Sequence, residues 1–195
     1  MHANKWKNFS RSFPYQIYCD MDGVLVDLIG GLLTAIDLNV DDPILRDAVS
    51  KLISTQWSWT QPHPDKTMQK GLELINDLLS DNNEFWAALP PTKDKDVLWG
   101  YISQFNPYIL SHGWDDASET GKEQWLQNLV PHPQVAFFSG DKYKWAVNSD
   151  GRPNILIDDF EKYLNPWKDA GGIGILHTSA DKTIAKLEAI ISETS

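Results

Sequence analysis

Ile17-Tyr18-Cys19-Asp20-Met21-Asp22-Gly23-Val24-Leu25-Val26-Asp27 is the stretch around which the chain can be read. An apolar run stops at two aspartates, one residue apart, followed by glycine. Ile17 to Cys19 predict a short buried strand. Asp20 and Asp22 then sit where that strand opens into a loop. On an extended backbone, residues i and i+2 point to the same side, and Gly23 permits a sharp turn beyond them. Two carboxylates at a strand's carboxyl end suit a hard cation with oxygen ligands, such as Mg²⁺. They equally suit a nucleophile and an acid/base, because a carboxylate can attack phosphorus. For a D-x-D taken alone, a solvated acidic turn is the alternative.

Composition narrows the setting. A chain of 195 residues can bury a real core and typically forms one domain, with room for an insertion. Cys19 is the only cysteine, so no intrachain disulfide or thiolate metal cluster is expected, and its place in a strand predicts a small buried apolar residue. No apolar run approaches the roughly 20 residues of a membrane helix. The N-terminal Met1 to Lys7 lacks a signal peptide's apolar region. A cytoplasmic location is the resulting expectation. The formal net charge of −10 disfavours a broad surface for long nucleic acid. An acidic chain that handles phosphate needs a metal ion and well-placed lysines to overcome its own field.

Residues 1–14 read as an arm with aromatic anchors Trp6, Phe9 and Phe13. Leu28 to Leu38 predict a helix. Asp42 as cap and Pro43 as first helical residue open another, with Ile44, Leu45, Val49, Leu52 and Ile53 at helical spacing. Trp57 to Pro64 break the pattern. Asp65 to Leu79 are helical, Asn82-Asn83 mark a loop, and Glu84 to Pro91 close a segment without a strand. From Thr92 onward helix and strand alternate. Val97 to Phe105 are helical, Pro107 to Ser111 a strand, and Ser118 begins a helix. Val135 to Phe138 form a strand and Asn148 to Gly151 a turn. Ile155 to Ile157 form the next strand. Phe160 to Asp169 are helical, broken at Asn165-Pro166. Gly174 to His177 make a fifth strand, and Ala180 to Ser192 an amphipathic helix.

Apolar strands alternating with helices predict an α/β fold, a parallel sheet covered on both faces. Ligands gather outside the carboxyl ends of such strands. Four strands end in groups suited to phosphate or metal: Asp20/Asp22, Ser111, Lys142 and Asp158/Asp159. Asp158-Asp159 alone could be a helix cap, Ser111 an ordinary strand-end serine, and Lys142 or Lys122 a surface lysine. Together they form a site, because clustered carboxylates repel unless a cation neutralises them.

The first stretch resembles the motif hhhhDxDGhhhD of the haloacid dehalogenase-like (HAD) phosphohydrolases, matched at Asp20, Asp22, Gly23 and Asp27. Leu156-Ile157-Asp158-Asp159 resembles the family's hhhhDD motif. The resemblance implies a Rossmann-like HAD core with a five-stranded parallel sheet over 1–27 and 92–195. A small helical cap, 28–91, is then inserted after the first strand. It implies Asp20 as nucleophile and Asp22 as general acid/base. Ser111, Lys142 and Lys122 would hold phosphate, with Lys142 favoured, and Asp20, Asp22, Asp158 and Asp159 would bind Mg²⁺. A narrower likeness, to the 5′(3′)-deoxyribonucleotidases, rests on Glu84 to Pro90, Gly121 to Leu126, Asp141-Lys142 and Leu156 to Asp159. It implies that Phe85 and Trp86 border a nucleoside, with Leu28 and His112 at positions where that family carries other residues. The expected substrate is a small phosphomonoester, a (deoxy)nucleoside monophosphate, with a homodimer left open and no membrane partner. Another phosphometabolite, a polynucleotide 3′-phosphate and a non-catalytic phospho-ligand-binding module are the rival readings.

Overall fold

Three consecutive apolar residues, Ile17–Cys19, form β1, and all three are buried. The computed structural model describes residues 13–54 and 63–193; Trp6, Phe9, Trp57 and Trp59 lie outside them. Four further strands pair in parallel with β1 or with each other: β2 (Tyr108–Ser111), β3 (Ala136–Phe138), β4 (Ile155–Asp158) and β5 (Ile173–Leu176). Their spatial order is β3-β2-β1-β4-β5, so β1 is central and the direction of winding reverses beside it. Parallel neighbours need crossovers, and each one here carries a helix or helical turn.

The helices are α1 (Leu28–Ala35), α2 (Pro43–Ser54), α3 (Lys66–Leu79), α4 (Asn83–Ala87), α5 (Lys95–Ile102), α6 (Asp116–Leu126), α7 (Glu161–Asp169) and α8 (Ala180–Glu193). Alternation along the strands sorts the core into two layers. Ile17, Cys19, Ile109, Ile155 and Ile157 pack with residues of α1, α3, α5, α6 and α8, such as Leu32, Ile75, Leu98, Trp125 and Leu187. Tyr18, Leu110 and Leu156 face the opposite way, onto Leu164 and Trp167 of α7. Among the described residues no helix is long and apolar enough to cross a membrane.

Helices α1 to α4 lie between β1 and α5, and this segment leaves and returns at one place. Asp27 N–H donates to Pro90 O at 2.8 Å, Thr92 N–H to Leu25 O at 3.0 Å, and Thr92 Oγ1 to Val24 O at 2.8 Å. As expected, Asp42 caps α2, its Oδ1 accepting from Ile44 N at 2.8 Å.

Four local expectations need correction. Ile44 stands at helical spacing, yet it is 77% exposed; α2 meets the core through buried Val49 and partly buried Leu45, Leu52 and Ile53. Asn82-Asn83 marks a link of only three residues, 80–82: Asn83 already opens α4, and Asn82 Oδ1 caps it through Phe85 N at 3.1 Å. α6 starts at Asp116, because Asp115 takes the capping place and Ser118 answers it from the third helical position. α7 runs through Pro166. The proline gives up one N–H, while buried Leu164 and Trp167 on either side anchor the helix.

Candidate active site

Asp20 follows β1 directly, and its N–H donates to Ile157 O at 2.9 Å, which fixes it against β4. The chain then folds over Met21, whose carbonyl accepts from Leu25 and Val26 N, each at 2.8 Å. Gly23 has φ +74°, in the left-handed region. A Cβ there would also run into the carboxyl group of Asp159. The glycine thus permits the turn and leaves space for a carboxylate arriving from another strand.

Asp20, Asp158 and Asp159 each present a carboxylate oxygen within 4.8 Å of the other two. Asp158 is fully buried with both oxygens engaged: Oδ2 accepts from Lys142 Nζ at 2.7 Å, and Oδ1 from Phe160 N at 2.9 Å. Asp20 Oδ1 lies 2.9 Å from Lys142 Nζ as an ion pair, without the angle of a hydrogen bond. Asp22 points to the other lysine. Its Oδ2 accepts from Lys122 Nζ at 2.5 Å, and its buried Oδ1 has no hydrogen-bond partner among the described residues. Lys122 also donates to Ser111 Oγ at 3.0 Å and to the carbonyl of His112 at 2.7 Å. Both lysines are 1% exposed.

The charges explain what this arrangement calls for. Burial raises Asp158 to about 7, and nearby Asp20 pushes the same way. Asp159 keeps one side open to solvent. The protein crowded around its carboxyl, followed by the charges of Asp20, Asp158 and Asp22, still lifts it to about 8. Burial also raises Asp22 above the usual carboxylate range, against the opposing pull of Lys122. Burial alone would lower Lys142, but its pairing with Asp20 and Asp158 outweighs that and raises it. Four carboxylates face two ammonium groups, which leaves two formal negative charges. An under-coordinated Asp20 oxygen beside an open Asp159 fits a hard divalent cation with oxygen ligands.

The structure therefore brings together Asp20, Asp22, Ser111, Lys122, Lys142, Asp158 and Asp159 at the carboxyl ends of β1, β2 and β4 and beyond β3. Of the four carboxylates, Asp22 is set apart from the other three by its side chain, which Lys122 holds. Leu28 and Phe85 are half-buried against the main core. His112 is exposed as a residue, its ring 6.3 Å from that of Tyr163, and it is the residue's carbonyl that binds Lys122. Trp86 is corrected: it is 3% exposed, with its indole N–H donated to Leu79 O at 2.9 Å. A ring held in this way cannot stack on a substrate.

Two residues of the site's surroundings escaped the sequence reading. Tyr163 lies under Lys142, with Nζ 4.4 Å from the ring centroid; burial pushes its hydroxyl up to about 12. Its place in the first turn of α7, directly after the Asp158-Asp159 pair, was the available signal. Arg46 of α2 binds Asp27 through Nη2 at 2.6 Å, while Asp27 caps α1 through Gly30 N at 2.9 Å. Nothing in the sequence joins that arginine to the first motif.

No protein-family model matches the sequence, and no curated protein matches it. Solved structures do. A dehalogenase determined with an intermediate complex is 16% identical, over 82% of this chain and 83% of its own, with a TM-score of 0.51. A hydrolase from Streptococcus pneumoniae TIGR4 is 16% identical over 91% of this chain and 98% of its own, with a TM-score of 0.48. A HAD phosphatase from Thermococcus onnurineus is 12% identical over 91% and 97%, with a TM-score of 0.45. At these identities the likeness speaks for the fold alone. Sheet order, strand direction and the match to the dehalogenase agree on it: the chain has a Rossmann-like α/β fold with a five-stranded parallel sheet, a fold like that of the dehalogenase.

Proposed function

We propose that this protein is a Mg²⁺-dependent phosphomonoesterase acting on a small substrate, with a nucleoside monophosphate as the leading class. One observation carries the reading: two buried lysines bracket the Asp20/Asp22 pair, Lys142 on Asp20 and Lys122 on Asp22 and Ser111. Buried ammonium groups converging on a carboxylate pair suit a dianion that must be neutralised before a carboxylate can approach it.

In this reading Asp20 attacks phosphorus in line, and the bond to the leaving oxygen breaks as an aspartyl-phosphate forms. Asp22 gives its proton to that oxygen. It then takes one from the water that hydrolyses the acyl phosphate and returns Asp20. A carboxyl raised by burial, as Asp22 is, suits the donor role. Asp20 and Asp159 would hold the metal ion, with Asp158 beside them orienting Lys142. When bound, the ion would neutralise charge on the phosphate. Lys142 spends one donor on Asp158 and faces Asp20 as an ion pair, which leaves a donor for a phosphate oxygen. Residues 28–91 would act as a cap on a core formed by 1–27 and 92–195.

The nucleotide assignment rests on the likeness of the Phe85-Trp86 and Gly121-Lys122 segments to the deoxyribonucleotidases. With Trp86 buried, Phe85 is the aromatic of that segment left to border a base. A panel of nucleoside monophosphates, sugar phosphates, a 3′-phosphorylated oligonucleotide and chloroacetate, with Mg²⁺ or EDTA, tests the reading. Mg²⁺-dependent phosphate release that is fastest on the mononucleotides is expected. Halide release without phosphate release would refute it.

A further inference from the structure

Trp86 sits in α4 where the inserted helices return to the sheet. With its N–H on the carbonyl of Leu79, the last residue of α3, the ring is fixed at its edge. What its face meets is a charge: Lys122 Nζ lies 4.8 Å from the ring centroid. That ammonium already spends its three donors on Asp22 Oδ2, His112 O and Ser111 Oγ. An aromatic face attracts a cation without needing a donor, and the attraction is stronger where water is excluded. Lys122 is 1% exposed.

The approach of the two helices is built for this contact. A Cβ at Gly121 would meet Trp86 Cβ at 2.5 Å and Ala87 N at 3.1 Å, and would also strike the carbonyl of Asn83. α6 and α4 therefore cross with no side chain between them at Gly121. The next residue, Lys122, is delivered over the indole. A lysine flexible along four carbons is thereby held in one place from two sides.

We propose that Trp86 is a positioning residue: its ring holds the Lys122 ammonium where it bridges Asp22 and Ser111, and so ties α3 and α4 to the acid/base. The kinetic half of this inference rests on the phosphatase reading; the seating of the ammonium on the ring does not.

The test uses the full chain as wild type, Trp86→Phe and Trp86→Leu, with lysines carbon-13 labelled at the ε position. The Lys122 signal is assigned by its loss in Lys122→Arg. It is expected upfield in the wild type from the indole ring current, still upfield in Trp86→Phe, and at the ordinary lysine position in Trp86→Leu. Both variants lose the bond to Leu79, so both melt earlier, and stability alone does not separate them. Activity does. In Trp86→Leu, kcat falls about 10- to 30-fold on p-nitrophenyl phosphate and on a nucleoside monophosphate alike, with KM little changed. Trp86→Phe stays within about threefold of wild type. A wild-type Lys122 signal at the ordinary position overturns the inference, and that measurement stands even if Trp86→Leu does not fold. Equal loss of kcat in the two variants also overturns it, as does a KM rise confined to the nucleotide. If the ring shift behaves as expected while the wild type hydrolyses no phosphomonoester, the phosphatase reading fails and the seating of Lys122 is upheld.

Discussion

Substituting Gly23 by alanine tests the geometry of the site without any assumption about its reaction. Two costs should add. The first is conformational: φ is +74°, and an L-residue in the left-handed region costs about 1–2 kcal/mol. The second is steric, because the new methyl enters the space of the Asp159 carboxyl, and overpacking costs about 1–3 kcal/mol. The structure supplies a control for the first cost. Gly151 has φ +80° and nothing within 4 Å of its would-be Cβ. Gly151→Ala should therefore lose only the conformational part. Gly23→Ala should lose about 1–3 kcal/mol more, which for a chain of this size is roughly 2–12 °C of Tm. Removing the obstacle should remove the excess: in an Asp159→Ala background, Gly23→Ala should cost about as much as Gly151→Ala. The double-mutant coupling is then about 1–3 kcal/mol. Calorimetry or urea melts on the four proteins and the control measure all of it. Equal losses at Gly23 and Gly151, or strict additivity with Asp159→Ala, would refute the placement of Asp159 over the first loop.

Asp20→Asn should keep the fold and lose phosphomonoester turnover, because an amide is a poor nucleophile; release of phosphate at near wild-type rate would end the nucleophile assignment. Lys142→Met leaves Asp20 and Asp158 buried together without their cation, so guanidinium melts should show a loss of about 3–5 kcal/mol; a loss below about 1 kcal/mol would count against the pairing. His177 is held below the usual histidine value by burial, despite the contrary pull of Asp94. The unfolded chain therefore binds that proton first, so the His177 share of stability is complete above about pH 6.5 and declines as the pH falls below it. Urea melts of His177→Gln over that range should show a shallower decline than wild type, and an unchanged slope would contradict it.

Much of the site was legible because it hangs on strand ends. Ile17 to Cys19, Tyr108 to Leu110 and Ile155 to Ile157 are apolar runs that stop abruptly at polar residues. A parallel sheet brings such stops to one edge. What the sequence could not show is which carboxylate faces which lysine. Asp22 is two residues from Asp20, yet it belongs to Lys122 on α6, and Asp158 rather than Asp159 secures Lys142. Those pairings depend on how far each helix stands off the sheet, which Gly121 decides for α6. Trp86 misled because an aromatic beside a predicted cleft reads the same whether its face meets a base or an ammonium. Ile44 misled because helical spacing specifies a face without saying whether anything covers it. Pro166 marked a break that tertiary packing overrode.

The central place of β1 has a consequence for how the chain is made. Its partner β4 pairs Ile17 with Ile155, a separation of 138 residues, and β2 pairs Tyr18 with Tyr108. At ribosomal rates of about 5–20 residues per second, β1 waits roughly 7–28 s between its own synthesis and that of its last neighbour. Throughout that interval one or both edges of a fully apolar strand are open; Lys122 and Lys142 are made before it ends, while Asp158 and Asp159 are still to come. In a nascent chain halted before Ile155, β1 would be the rim of a three-stranded sheet, an open apolar edge that the finished sheet covers with β4. The strand that organises the finished molecule is therefore also the one most in need of shelter during its birth.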